Sequence, residues 1–248
     1  MSSVVAPRPP SGVPPADMLV IVATFAIGLL VDVHTDIAGQ TALSAAVWLV
    51  LFYVLRRVAG EERTALMICL VIATTGELIL SLGWGLYTYR LGNIPMFVPP
   101  GHVLMLLLGL SLARRMPQPV AYAILGCAAL YSLAAAAAGV DTLGATLFLI
   151  LGVSALGMPS QRRLYASTFV LSLLLELYGT WLGNCTWARQ VPATVLVTTN
   201  PPGVAGAFYC ALDAAVAAVS MLLARTWSAR GRGKTGFDLD QGRARLPE

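Results

Sequence analysis

Eight apolar runs of helix length, at about 18–34, 39–55, 64–82, 97–113, 119–138, 142–158, 164–182 and 203–224, are separated only by short charged or Gly/Pro-rich breaks. A spanning helix needs about 20 such residues. Lipid offers no hydrogen-bond partners, so a chain of this kind must satisfy its backbone within helices or a closed barrel. The two-residue alternation of a barrel is absent, so the expectation is an all-α, polytopic helix bundle of about eight spans. Composition agrees: 57% of the 248 residues are hydrophobic and 11% are charged, outside the usual range of a soluble domain.

Arginines set the expected orientation. Arg56, Arg57 and Arg63, Arg114 and Arg115, Arg162 and Arg163, and Arg225, Arg230 and Arg232 fall on one side of an eight-span chain, with Arg90 and Arg189 on the other. The positive-inside tendency then makes both termini cytoplasmic, in a membrane of the bacterial inner type. The expected organisation is a disordered N-terminal tail (1–15), a first four-helix half (16–115), a second half (116–226) and a disordered basic tail (227–248). The start of the chain lacks a small-residue cleavage pattern, so the first span is expected to be retained. The net charge of +4 lies in helix flanks and the basic tail, and makes no case for nucleic acid.

The chain also contains an internal repeat. "RTALMICLVIATTGELILSLGWGLYTYR" (63–90) overlays "RRLYASTFVLSLLLELYGTWLGNCTWAR" (162–189) without gaps, pairing Arg63 with Arg162, Glu77 with Glu176, and Arg90 with Arg189 at a constant offset of 99 residues. Both copies continue through a lone proline, Pro95 or Pro192, to a Pro-Pro-Gly at 99–101 or 201–203. Copies four spans apart share an orientation, so two four-helix repeats in parallel are expected, related by an axis along the membrane normal.

Glu77 and Glu176 each lie about thirteen residues into a span, and at about 1.5 Å per residue this puts them somewhat beyond the bilayer centre. An ionisable group at that depth costs at least about 2.5 kcal/mol and therefore faces the interior with partners. In low dielectric a carboxyl group favours its neutral form, which can donate a proton. Asp213 in "AFYCALDAAVAAV" is the third such acid, and Tyr209 one turn before it is placed to bond it. These three are the candidate catalytic residues. The competing explanation is that buried polar side chains simply fix helix packing.

Trp84, Tyr87 and Tyr89 follow the first glutamate, and Trp181 and Trp187 flank the end of the second helix. They either anchor the spans at the interface or line a pocket mouth, where their π faces stabilise a cation. With Tyr209, and with Asn200 as an expected N-cap before Pro201, they form the candidate substrate-binding set. Asp32, His34, Asp36 and His102 are weak metal ligands, because two histidines without a dedicated spacing specify no site; no metal is expected. Cys69, Cys127, Cys185 and Cys210 have no CxxC spacing and are expected to be packing residues. No haem-ligand histidine pair, phosphate-binding glycine loop or GxSxG elbow is present, so no cofactor is expected.

Glu77, Gly85, Tyr87, Tyr89, Leu91, Gly92, Pro95 and Pro99 in "GELILSLGWGLYTYRLGNIPMFVPP" give this segment a pattern that resembles the integral membrane carotenoid-biosynthesis proteins, which include the bacterioruberin-type carotenoid 1,2-hydratases. The second copy departs from that pattern, with Asn184-Cys185-Thr186-Trp187 in place of the paired tyrosines. The chain is also similar to the small membrane terpene cyclases in size, span number and intramembrane acids. Both resemblances imply protonation of an isoprenoid double bond by a buried carboxylic acid, followed by hydration or cyclisation. The residues alone lead to acid catalysis on an apolar, lipid-like molecule. The alternatives are a proton-coupled transporter or lipid carrier and a non-catalytic membrane assembly protein, and the oligomeric state stays open.

Overall fold

A computed structural model describes residues 13–238. Its elements are α1 (Pro15–Asp32), α2 (Ile37–Leu55), α3 (Gly60–Glu77), β1 (Tyr87–Tyr89), α4 (Val98–Ala113), α5 (Gln118–Ala137), α6 (Thr142–Gly157), α7 (Arg162–Leu182), β2 (Cys185–Trp187) and α8 (Gly206–Asp238). The eight helices coincide with the eight apolar runs to within a few residues at most ends. Among the described residues five segments are long and apolar enough to cross a membrane, namely Pro15–Asp32, Ile37–Leu55, Glu62–Gly83, Gln118–Ala137 and Gly206–Leu223. Helices α6 and α7 meet at a 110° bend and count as a sixth only if taken as one broken span, and α4 is apolar but shorter. Leu149, Val153 and Leu156 on α6 and Leu130 and Leu133 on α5 are largely exposed. An apolar outer surface of this kind marks a face that meets lipid or another protein, and together with these long apolar helices it gives the fold of a helical membrane protein.

Local sequence accounts for the helix ends. Asp36 and Asp141 cap α2 and α6, each accepting from the backbone N–H of a glycine three residues on, Gly39 at 2.9 Å and Gly144 at 2.8 Å, which satisfies a donor the helix cannot. Prolines open α1, α4 and α5, where the missing N–H costs nothing. The expected N-terminal tail is tied down where it is described: Val13 is buried and donates its N–H to the Ser111 hydroxyl. At the other end α8 continues through Asp238, past the expected tail boundary at 226. A helix already nucleated by an apolar run extends at little cost per residue. Residues 1–12 and 239–248, also assigned to the tails, lie outside the described residues.

Helix α4 forms the centre. It is buried from Pro99 to Ala113 apart from a few positions and packs against α7, α3, α2 and α1. Small residues permit close approaches: a Cβ on Gly109 would collide with Thr168 on α7, and one on Gly206 would collide with the Phe169 carbonyl. One apolar core joins α1–α4 around Leu51, Leu66, Leu104 and Leu107, and a second joins α5–α8 around Leu147, Leu151, Tyr165 and Ala207. At one end of the bundle β1 and β2 pair antiparallel, Tyr87 opposite Trp187, Thr88 opposite Thr186 and Tyr89 opposite Cys185. This ladder closes the end of the bundle over both glutamates.

Candidate functional site

Glu77 ends the α-helical part of α3. The chain then widens into a single π-helical turn, Leu78–Gly83, a feature associated with functional sites in helices. Gly85, at φ +71°, takes a left-handed conformation that a side chain resists. The strand that follows folds back over Glu77. Oε2 of Glu77 accepts from both Tyr87 (3.0 Å) and Tyr89 (2.7 Å) hydroxyls. Burial, then the charge of Glu77, pushes both phenols above the usual tyrosine range, so they remain protonated donors.

His102, in the second turn of α4, approaches the other oxygen. Its Nδ1 lies 3.0 Å from the Val98 carbonyl, which only accepts, so Nδ1 carries a proton. Nε2 faces Glu77 Oε1 at 3.6 Å, the distance of an ion pair or a water bridge. Glu77 is thus held on one oxygen by two phenols, and its other oxygen faces the His102 imidazole.

Glu176, six residues before the end of α7, has a simpler setting. Gly183, at φ +89°, stops α7 and turns the chain into β2, whose Trp187 donates Nε1–H to Glu176 Oε2 at 3.1 Å. The same indole packs on Tyr87 (ring centroids 4.7 Å apart) and on Phe208 (6.1 Å). The strand ladder therefore ties the two glutamates together through an aromatic cluster.

A cavity of about 230 Å³ opens between α3 and α8, and Glu77, Glu176, Tyr87, Trp187, His102 and Tyr209 form the polar and aromatic part of its wall. The rest of its wall is apolar, from residues such as Ile72, Leu80, Ala211 and Leu212. A smaller cavity of about 100 Å³ reaches toward α1 and α2 and shares Glu176, His102 and Tyr209. The rings of His102 and Tyr209 stack at 4.8 Å and 10°, forming the partition between the two.

Of the other expected site residues, Tyr209 lines both cavities and the rest fall elsewhere. Asp213 is buried on α8 beside Thr168 and lines neither cavity, and its Oδ2 has no hydrogen-bond partner. Tyr209, expected to bond Asp213, instead lays its ring on His102, because that ring faces the cavity side of α8. Trp84 donates to the Pro192 carbonyl at 2.8 Å and pins the loop after β2. Trp181 is 79% exposed and stacks on Tyr178, the placement of an interface anchor. Asn200 is not an N-cap, since α8 begins at Gly206. It accepts from the Trp187 backbone N–H at 2.9 Å and so steadies the strand that holds Glu176.

The four weak metal ligands do not converge. Asp36 caps α2, His102 faces Glu77, and Asp32 accepts from Gln40 and Asn184, each at 2.8 Å. Among the described residues no three His, Cys, Asp or Glu side chains come together as metal ligands. Arg90 clasps the same corner, donating to the Asp32 and Thr35 carbonyls. Sequence reasoning missed His102 as the partner of Glu77 and Asp32 as a structural hub. The only available signal for His102 was its place one turn past Pro99-Pro100, at the depth expected of the glutamates.

Comparison with protein families, with curated proteins and with solved structures returns no match. Fold and site together define a helical membrane protein with a pocket lined by two glutamates.

Proposed function

We propose that this protein is an integral membrane enzyme that protonates a double bond of an apolar isoprenoid, a carotenoid or terpenoid, and completes the reaction by hydration or cyclisation. The observation that carries this reading is that Glu77 and Glu176 line one cavity whose other walls are apolar and aromatic. One carboxylic acid delivers a proton to the alkene, and the rings of Tyr87 and Trp187 stabilise the resulting carbocation through their π faces. In hydration, water adds to the cation and the second carboxyl group takes the released proton, so the product gains one water. In cyclisation an internal alkene captures the cation and the proton is lost from a neighbouring carbon, leaving the mass unchanged. Positioned acid–base groups contribute about 10²–10⁴-fold to such a step.

The reading includes eight spans with both termini cytoplasmic, in a bacterial inner membrane, and a duplicated four-helix unit. Several paired features support the duplication. Asp36 and Asp141 cap the second helix of each half through a glycine. Gly85 and Gly183 both turn the chain with positive φ. Tyr89 and Trp187 each donate to the glutamate of their own half, and the two strands pair with each other.

The test is mass spectrometry of lipid extracts from a host that makes acyclic carotenoids and shorter polyprenyl precursors, expressing the wild type or Glu77→Gln at matched levels. A product heavier by one water, or an isomer with new retention, is expected with the wild type alone. No difference across the precursor panel sinks the isoprenoid assignment. A second reading, a proton-coupled carrier, draws on the two cavities that meet at Glu176 and His102, and it predicts accumulated but chemically unaltered lipid.

A further inference from the structure

Glu77 and His102 both line the larger cavity, and each leaves one polar atom without a hydrogen bond. On Glu77 it is Oε1, since Oε2 already accepts from Tyr87 and Tyr89. On His102 it is Nε2, since Nδ1 donates to the Val98 carbonyl and Tyr209 covers a face of the ring. The two atoms lie 3.6 Å apart, too far for a direct hydrogen bond. Both side chains are about nine-tenths buried or more, His102 at 10% and Glu77 at 7% exposed. Asn184 Oδ1 and Asp213 Oδ2 are unpartnered and also sealed off from water, whereas Glu77 Oε1 and His102 Nε2 are unpartnered without being sealed. A small molecule in the cavity therefore has access to this pair.

Two acceptors at this spacing suit the two hydrogens of one water. Nδ1 holds the proton of the neutral imidazole, so Nε2 accepts, and Glu77 Oε1 accepts as part of a carboxylate. A water that gives one hydrogen to each turns its lone pairs away from both, as a nucleophile aimed into the cavity must. The rings of Tyr87 and Trp187, which the proposed chemistry assigns to the carbocation, stand in the same wall. A ring-closing site has to keep such acceptors away from the cation, because the water they recruit competes with the internal alkene. We infer that Glu77 Oε1 and His102 Nε2 hold the water that adds to the substrate, so that the reaction is hydration and the product an alcohol. This rests on the enzyme reading and narrows it. It also divides the two acids. Glu176 gives its proton to one alkene carbon, the water oxygen bonds to the neighbouring cationic carbon, and the proton that this oxygen sheds passes to Glu77 Oε1. Alkene and water become alcohol, and one proton has moved from Glu176 to Glu77. Both carboxyl groups line the same cavity, through which that proton returns before the next turnover.

The experiment incubates membranes of the expressing host, with its acyclic carotenoids and polyprenyl precursors, in heavy-oxygen water or in deuterium oxide, and reads the lipids by mass spectrometry. The wild type is expected to form an alcohol that carries the heavy oxygen. Deuterium in the recovered alkene reports protonation alone, since reversal of that step exchanges a hydrogen without adding water. His102→Leu is expected to lower the alcohol by about tenfold, the loss of one hydrogen bond to the water, while deuterium still enters the alkene. His102→Gln, whose amide oxygen takes the place of Nε2 as an acceptor, is expected to recover most of the alcohol. A purely structural histidine would move both readouts together. Equal loss of alcohol and deuterium in a folded His102→Leu protein, no recovery in His102→Gln, or a deuterated isomer without added oxygen from the wild type overturns the inference and leaves the enzyme reading in place. Should His102→Leu fail to fold, the heavy-oxygen label of the wild type and the yield of His102→Gln decide. A wild type that gives neither alcohol nor deuterated lipid refutes the enzyme reading itself, and this water site with it.

Discussion

Thr88 lies directly opposite Thr186 in the ladder that joins β1 to β2. Those residues are 98 apart, as are Gly85 and Gly183, and Tyr89 and Trp187, whereas Glu77 and Glu176 are 99 apart. Under the proposed duplication one residue has been gained by α3 between its glutamate and its strand. The π turn Leu78–Gly83 is where a helix accommodates a single extra residue. Deleting the lipid-facing Leu82 is therefore expected to close that turn to α-helix and leave a folded protein. Deleting Leu177 is expected to rotate the end of α7, separate Trp187 from Glu176 and cause unfolding or loss of expression. Thermal unfolding in detergent compares them, and equal damage from the two deletions refutes the assignment.

Glu77 lines the larger cavity and Asp213 does not. Glu77→Gln keeps an acceptor for the two tyrosines but no exchangeable acid, and is expected to reduce conversion by about a hundredfold or more with little change in melting temperature. Asp213→Asn is expected to leave conversion within a few-fold. Product yield at matched protein level distinguishes them, and a reversed order relocates the acid.

Trp187 combines a hydrogen bond to Glu176 with ring packing on Tyr87 and Phe208. Trp187→Phe removes the donor and retains most of the ring, so lower conversion with a stability loss of about 1 kcal/mol is expected. Unchanged conversion in a stable Trp187→Phe protein shows the indole N–H to be structural only.

Asp141 is fully buried and accepts from Gly144 N–H, Gly203 N–H and the Thr198 hydroxyl, whereas Asp36 caps only Gly39. Asp36→Ala should cost about 1 kcal/mol, an ordinary N-cap. Asp141→Ala should cost several times that, because it strands buried donors at about 1–3 kcal/mol each. Denaturation of the two variants in parallel is the check, and equal losses contradict the role of Asp141 in holding the loop before α8.

Tyr87 and Tyr89 are pushed above the usual tyrosine range by burial and by Glu77. The folded protein therefore holds protons that the unfolded chain releases near pH 10, and stability is expected to fall as pH rises past about 10. The Tyr87→Phe/Tyr89→Phe protein should show a shallower decline. Parallel slopes between pH 9 and 11 would mean that the two phenols ionise freely.

The apolar runs were decisive for what the sequence determined alone. Hydropathy placed all eight helices, since a backbone in lipid has no partner except its own helix, and the matched Glu77 and Glu176 stood out because an acid in such a run is costly. Hydropathy carries no information about which face of a helix turns inward, because lipid and protein interior are both apolar. That is why Asp213 and Tyr209, one turn apart, were expected to bond each other and instead look to different neighbours. His102 gained its meaning only from tertiary packing, which brings α4 against α3 and sets an imidazole 3.6 Å from Glu77. The strand ladder was likewise invisible: two three-residue strands nearly a hundred residues apart have no local signal, and only the closing of the bundle brings them together over the glutamates.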